Sequence, residues 1–281
     1  MKVFIGKIYK KLKFIWLKDL GYEFVDLCGV SLKAVKGTIR KRVDQDDAWF
    51  YYLAKHHSKI FDVGANVGYT ALLALIQNRK KRYVLIDPNP LALADASKNL
   101  FINGYGNNAS FYSSFVSNEE NEQVKFYTIG TGAAGSMYES HAKTAADINS
   151  WSFANTTTID ALVKFYNFRP SLIKIDVEGA ESLVLEGACE LAKSKETIFF
   201  VEMHATKEVT MKCNAENVLK WCDEISYAAW YMAEATLMKK SEMIANRGKC
   251  HLLLLPKGLK YPSYLKEIRQ GNPLPKYISK K

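Results

Sequence analysis

The stretch Lys59-Ile-Phe-Asp-Val-Gly-Ala-Asn-Val-Gly-Tyr-Thr70 decides how this chain folds. Ile60, Phe61 and Val63 make an apolar run of strand length, Gly64, Asn66 and Gly68 crowd the following positions, and Ala71, Leu72, Leu73, Leu75 and Ile76 continue as a buried helix. Glycine and asparagine tolerate positive φ, so the order predicts strand, tight turn, helix. A helix opening at such a turn aims unpaired amides and the positive end of its dipole at whatever binds there. The dinucleotide fingerprint Gly-x-Gly-x-x-Gly is not met, because Asn66 replaces its second glycine and Tyr69 its third, which argues against a pyrophosphate. Asp62, near the strand end, is placed to accept a hydrogen bond from a ligand ammonium; the plainer alternative is a turn without a ligand.

Downstream the pattern repeats. Tyr83 to Ile86 reads as a second strand closed by Asp87-Pro-Asn-Pro90, and an acidic residue there is where a ribose diol donates its hydrogen bonds. A helix with Leu91, Leu93, Ala94 and Leu100 then leads to a third strand near Ser110 to Val116, giving a βαβαβ unit. Residues 117 to 155 change character. A strand from Val124 to Ile129 runs into a glycine-rich, then polar, stretch ending at Asn155, with His141, Trp151 and Phe153 in it, and a segment of this length suits a binding loop or lid.

Thr158 to Phe165 reads as a short capped helix, followed after Pro170 by the strand Leu172 to Val177. Its end, Lys174-Ile-Asp-Val-Glu-Gly-Ala-Glu181, gathers Asp176, Glu178 and Glu181 at a strand terminus and the first helical turn, the edge where open α/β sheets bind ligands. For Glu181, complementing the helix dipole is the simpler role. The next strand, Thr197 to Met203, ends in Glu202-Met-His204 on the same edge. A helix from Asn214 and strands at Ala228 to Met232 and His251 to Leu255 complete the pattern, and no internal repeat is visible.

Composition bounds the rest. A chain of 281 residues with 48% hydrophobic content supports one sizeable α/β domain with appendages. Five cysteines without a Cys-x-x-Cys pair suggest neither a disulfide framework nor a zinc cluster, which fits a reducing, cytoplasmic setting. No apolar run reaches the roughly 20 residues of a membrane span. Residues 1 to 18 place Phe4, Ile5, Ile8, Leu12, Ile15 and Trp16 at helical spacing among six lysines. Such a helix suits an anionic membrane surface, at the inner face of the membrane, or packs its apolar stripe on the domain's own core. Residues 1 to 42 hold eleven of the basic residues against three acidic ones, so the net charge of +10 sits mostly at the chain ends. We divide the chain into a helical, basic lead-in segment (1–58), a main domain (59–258) and a basic, proline-containing tail (259–281), expected to wrap the surface or hang loose.

The motifs Asp62-Val-Gly-Ala-Asn-Val-Gly-Tyr-Thr70, Asp87-Pro-Asn-Pro90, Thr158-Ile-Asp-Ala-Leu162, Lys174 to Glu181 and Val201-Glu-Met-His204 together resemble the FkbM family of methyltransferases. That resemblance implies a class I, Rossmann-like doubly wound α/β fold: a mostly parallel, seven-stranded sheet with helices on both faces, here with an N-terminal helical extension. It further implies S-adenosylmethionine as methyl donor and O-methylation of a hydroxyl on a sugar, glycan, lipid-linked sugar or natural product. Carried over position by position, Asp62, Gly64, Asn66 and Gly68 would surround the methionine end, Asp87 the ribose, and Ser114 and Phe115 the adenine. The family more often has Glu where this chain has Asp87, which makes the same bonds with a shorter reach. A donor with a ribose and an amino-acid end but no phosphates agrees with the interrupted glycine pattern.

Methyl transfer needs the acceptor oxygen aligned and its proton removed, and Asp176, Glu178 and His204 are the titratable groups at the right edge. A divalent cation would serve the same end, and the sequence does not choose between them. Three other readings compete: a dinucleotide oxidoreductase, a nucleic-acid methyltransferase, and a non-catalytic, membrane-associated protein that kept the fold. No nucleic acid is expected as partner, since acidic residues at the site repel phosphates and no Pro-Pro-aromatic turn follows the fourth strand.

Overall fold

The computed structural model describes residues 21–40, 44–131, 135–269 and 274–276. The predicted helix of residues 1 to 18, with Trp16 and its lysines, lies outside them.

The stretch from Lys59 to Thr70 folds as expected. Strand β3 (Lys59–Val63) enters a turn in which Gly64, Asn66 and Gly68 all have positive φ, and helix α2 (Tyr69–Leu75) leaves it. Around it the sheet is built from β5 (Ala109–Tyr112), β4 (Arg82–Ile86), β3, β9 (Leu172–Ile175), β10 (Ile198–Met203), β13 (Cys250–Pro256), β11 (Tyr227–Tyr231) and β12 (Thr236–Met238), in that spatial order. The five strands from β5 to β10 are parallel, and β13 inserts antiparallel between β10 and β11. The count is eight where seven were expected; the extra strand is short β12, a hairpin return antiparallel to β11 at the sheet's edge.

Alternation along the strands builds two cores. Ile60, Tyr83, Leu85, Leu172, Phe200 and Leu253 face one side, against Trp49, Phe50 and Leu53 of α1 (Gln45–His56), Leu72 of α2 and Leu100 of α3 (Pro90–Ile102). Phe61, Val84, Ile173, Phe199, Val201 and Leu254 face the other, against α5 (Ile159–Tyr166), α6 (Glu181–Glu186), α7 (Cys189–Ala192) and α8 (Met211–Glu224). A sheet covered on both faces needs near-continuous apolar strands, and that is why these segments were legible.

Three expectations change. The lead-in is not helical throughout: Tyr22–Leu27 (β1) and Val30–Val35 (β2) form an antiparallel hairpin turned by Cys28 and Gly29, both at positive φ. The hairpin's strands bury only Leu27, Leu32 and Ala34 against the core, too short an apolar pattern to announce two strands, and the hairpin is also tied to α3 through side-chain amides. Asn103 grips Lys33 at both its N–H and its carbonyl, and Asn99 accepts from Val35 N at 2.8 Å. The third strand is also broken: β5 stops at Tyr112, and β6 (Phe115–Val116) joins a separate small sheet with β8 (Trp151–Thr157) and β7 (Gln123–Tyr127). The segment read as a polar loop up to Asn155 therefore contains most of β8, besides the short helix α4 (Lys143–Asp147) and, further along, α9 (Ser241–Ala245) follows β12. Within the tail, Tyr261, Leu265 and Ile268 are buried against the core, so this part wraps the surface.

Candidate functional site

At the carboxyl edge of β3, β4, β9 and β10 lies a cavity of about 1090 Å³, walled by the turn, the strand ends, residues 35–40 and 44–46, and Trp49. Gly64 is indispensable to its shape: a Cβ there would sit 1.8 Å from the Asp176 carbonyl oxygen, so only a bare backbone lets β3 and β9 close at this edge. Asn66, at φ 45°, lines the cavity and leaves its Oδ1 buried without a hydrogen-bond partner. A buried acceptor left unpaired is uncommon and marks this turn as unusual. The Asn66 backbone N–H donates to Asp87 Oδ2 at 2.8 Å, while Asn89 N–H donates to Oδ1 at the same distance. Burial pushes the Asp87 carboxyl up to about 6, against these two amides, which lower it. Each carboxylate oxygen thus accepts one backbone amide and retains further acceptor capacity, and Asp87 lines the cavity.

Ser114 and Phe115 line the same cavity. The Ser114 hydroxyl is spent on the Asn155 carbonyl at 2.5 Å, and the Phe115 ring packs at 6.5 Å from Phe126, leaving an apolar wall. Both sit where the chain passes from the main sheet to the small one, so the break after β5 is what presents them.

Two expected contacts are not made. Asp62 is fully buried behind the turn, accepts hydrogen bonds from the Thr70 and Tyr83 hydroxyls, and has the Lys174 ammonium 3.7 Å away. It anchors the turn to β4 and β9 and does not reach the cavity wall, because its side chain alternates into the layer beneath. Gly68 likewise faces away: an added Cβ would meet the Ala96 Cβ at 2.9 Å, so its role is close packing of the turn on α3.

The carboxylates gather as expected. Asp176 and Glu178 line the cavity, and Glu178 is held in left-handed backbone geometry at φ 55°. A bulky residue in that region stores strain of about 1–3 kcal/mol, tolerated where the surroundings over-determine it. The Ser136 hydroxyl fastens the Glu178 carbonyl, and His141 Nε2 lies 2.6 Å from Glu178 Oε2. Lys174, buried, donates to Asp176 Oδ2 at 3.1 Å; burial lowers its pKa, but Asp176 and Asp62 outweigh this and raise it, so it is a fixed positive charge. His204 is 3% exposed and sits behind these carboxylates rather than in the wall. Its Nδ1 is 2.8 Å from Glu181 Oε1. Burial would lower its pKa, but the Glu181 hydrogen bond and the charges of Glu181, Glu178 and Asp176 raise it to about 9. Glu181 is fully buried and spans Gly179 N–H, His204 and Asn214, a structural task beyond helix-dipole complementarity.

Sequence reasoning gave no role to Glu202, Lys249, His251 or the segment around Arg40 and Trp49, all of which line the cavity. Glu202 ended a strand beside His204 and had a visible signal. The others come from the reversed strand β13 and from the chain after the hairpin, and no local pattern announces that these cover the edge.

A family model described as the methyltransferase FkbM domain matches residues 62–227. Comparison with curated proteins finds no significant match. Among solved structures, the FkbM methyltransferase of Methylobacillus flagellatus is 13% identical, with TM-score 0.44 over 70% of this chain and 43% of that one. This chain thus spans less than half of that relative's length. The O-methyltransferase TomG of Streptomyces achromogenes is 10% identical, with TM-score 0.43 over 75% and 79% of the two chains. An O-methyltransferase of Bacillus cereus is 11% identical, with TM-score 0.41 over 74% and 78%.

Proposed function

Since the chain belongs to the FkbM methyltransferase family, we propose that it moves the methyl group of S-adenosylmethionine to a hydroxyl of a sugar, glycan or related natural product. The observation that carries this reading is the single cavity in which Gly64, Asn66 and Asp87 share walls with Asp176 and Glu178. The donor's amino-acid end would meet the turn of Gly64 and Asn66, its ribose Asp87, and its adenine the wall of Ser114 and Phe115. The sulfonium methyl then points toward the carboxylates at the end of β9, where an acceptor oxygen can approach in line.

In the transfer, the acceptor O–CH₃ bond forms as the S–CH₃ bond breaks, and the hydroxyl proton must leave. Glu178 is the residue to take it: it faces the cavity, and His141 beside it can stabilise either protonation state. His204, enclosed behind it, holds the charge balance of the cluster. Seven carboxylates against four Lys or Arg line the described cavity, in a chain with net charge +10. That local surplus suits a neutral acceptor and disfavours phosphate-rich ones such as nucleic acid. Calorimetry with S-adenosylmethionine and with NAD tests the donor, and a methyl-transfer screen over neutral sugars, glycans and lipid-linked sugars tests the acceptor. Binding of NAD in place of S-adenosylmethionine would overturn the reading.

A further inference from the structure

The ring of His204 is held from one side only. Nδ1 pairs with Glu181 Oε1 at 2.8 Å, and Glu181 is itself saturated by Gly179 N–H at 3.0 Å and by the Asn214 amide at 2.6 Å. A fully engaged carboxylate places the imidazole proton on Nδ1 and fixes the ring's orientation. Nε2, equally buried, has no hydrogen-bond partner among the described residues. Metal-binding histidines are arranged in this way, with the non-ligating nitrogen donating to a carboxylate.

What Nε2 faces is a fan of oxygens: Glu178 Oε2 at 3.2 Å, Glu202 Oε1 at 3.6 Å and Asp176 Oδ1 at 3.9 Å. One donor atom each from Asp176, Glu202 and His204 lies within 4.8 Å of the others. Around an octahedral cation with bonds of about 2.1 Å, neighbouring ligands stand about 3.0 Å apart and opposite ones about 4.2 Å, so separations of this size close on an ion with small adjustments. The cations nearby leave room. Lys174 holds Asp176 by Oδ2, the other oxygen, at 3.1 Å. Lys249 holds Glu202 at Oε1, the oxygen that faces Nε2, but its side chain is 60% exposed and an ion would displace it into solvent; His251 approaches the far Glu202 oxygen at 3.5 Å, and His141 engages Glu178. Asp62, Asp176, Glu178, Glu181 and Glu202 carry five negative charges against the three of Lys174, Lys249 and, while no ion is bound, His204, a surplus of two in a buried place.

We propose that Asp176, Glu202 and His204 bind one divalent transition-metal cation of the Mn²⁺ kind at the floor of the cavity. One imidazole with carboxylates favours such an ion over Mg²⁺ or Ca²⁺, which prefer all-oxygen sets. Under the methyl-transfer reading, on which this role rests, the ion would polarise the acceptor hydroxyl and ease proton loss to Glu178.

The test uses the full chain, freed of metal by a chelator, with Mn²⁺ titrated by electron paramagnetic resonance and S-adenosylmethionine titrated separately by calorimetry. One Mn²⁺ per chain is expected, with Glu202→Gln and His204→Gln each weakening it at least about tenfold; circular dichroism confirms that the variants are folded. The inference is overturned if the folded wild type takes up no Mn²⁺ at about 1 mM, the weak end of biological cation sites, or if both folded variants bind like wild type. Donor binding without Mn²⁺ uptake removes the cation and keeps the methyltransferase reading; Mn²⁺ uptake without donor binding does the reverse.

Discussion

At the scale of single residues, the site turns on how Gly64, Asp87 and Glu178 are held. Gly64 combines φ 80° with an approach that leaves no space for a side chain. Gly64→Val is therefore expected to abolish donor binding and lower stability by a few kcal/mol, about 1–3 of it from backbone strain alone; calorimetry and a thermal melt check both parts. Asp87→Ala should weaken S-adenosylmethionine by about 1–3 kcal/mol with the fold kept, because a charged acceptor of ribose hydrogen bonds is lost. The raised pKa of Asp87, about 6, adds a pH signature. Its protonated form is favoured in the folded chain, so its contribution to stability is full below the unfolded value near 4 and fades as pH rises through about 6. Donor binding needs the ionised form and runs the other way, so affinity measured by calorimetry should fall as pH drops below about 6. For Glu178→Gln the expectation is a drop in turnover of roughly 100-fold or more with donor affinity retained, measured once an acceptor is found. Near-normal turnover would move proton removal to the neighbouring Asp176.

At the scale of elements, the hairpin β1–β2 matters because of one amide. Asn99, fully buried on α3, accepts from Val35 N at 2.8 Å and donates to the Thr38 hydroxyl and the Val67 carbonyl, both at 3.0 Å. It thus ties the hairpin's exit, which walls the cavity, to the turn that shapes it. Asn99→Ala leaves buried groups unpaired and should cost about 1–3 kcal/mol of stability. Hydrogen exchange should show faster opening of residues 35–40; unchanged protection there would mean that the apolar contacts of Leu32 and Ile39 hold the hairpin without it. The small sheet does the corresponding work across the cavity: Asn89, capping α3, donates to the Gly130 carbonyl at 2.8 Å and fixes the loop after β7.

At the scale of the whole molecule, charge is divided. The cavity carries a surplus of carboxylates while the chain is strongly basic, with six lysines in residues 1 to 18. Among the described residues no helix is long and apolar enough to cross a membrane. Deleting residues 1 to 18 is expected to reduce binding to anionic vesicles at low salt more than it reduces donor affinity. A full-length protein that ignores such vesicles would assign the segment's apolar stripe to packing on the domain. What the sequence alone determined is whatever local periodicity and backbone chemistry encode: the parallel strands, buried on two faces and so nearly all apolar, the glycine–asparagine turn after β3, and the acidic strand ends at Asp87, Asp176 and Glu202. Only the tertiary structure decided which of these side chains face the cavity. It turned Asp62 and Gly68 into supports, withdrew His204 behind Glu178, and brought His141, Lys249 and His251 to the site from distant segments, because side-chain direction and long-range closure depend on packing that no short window of sequence contains.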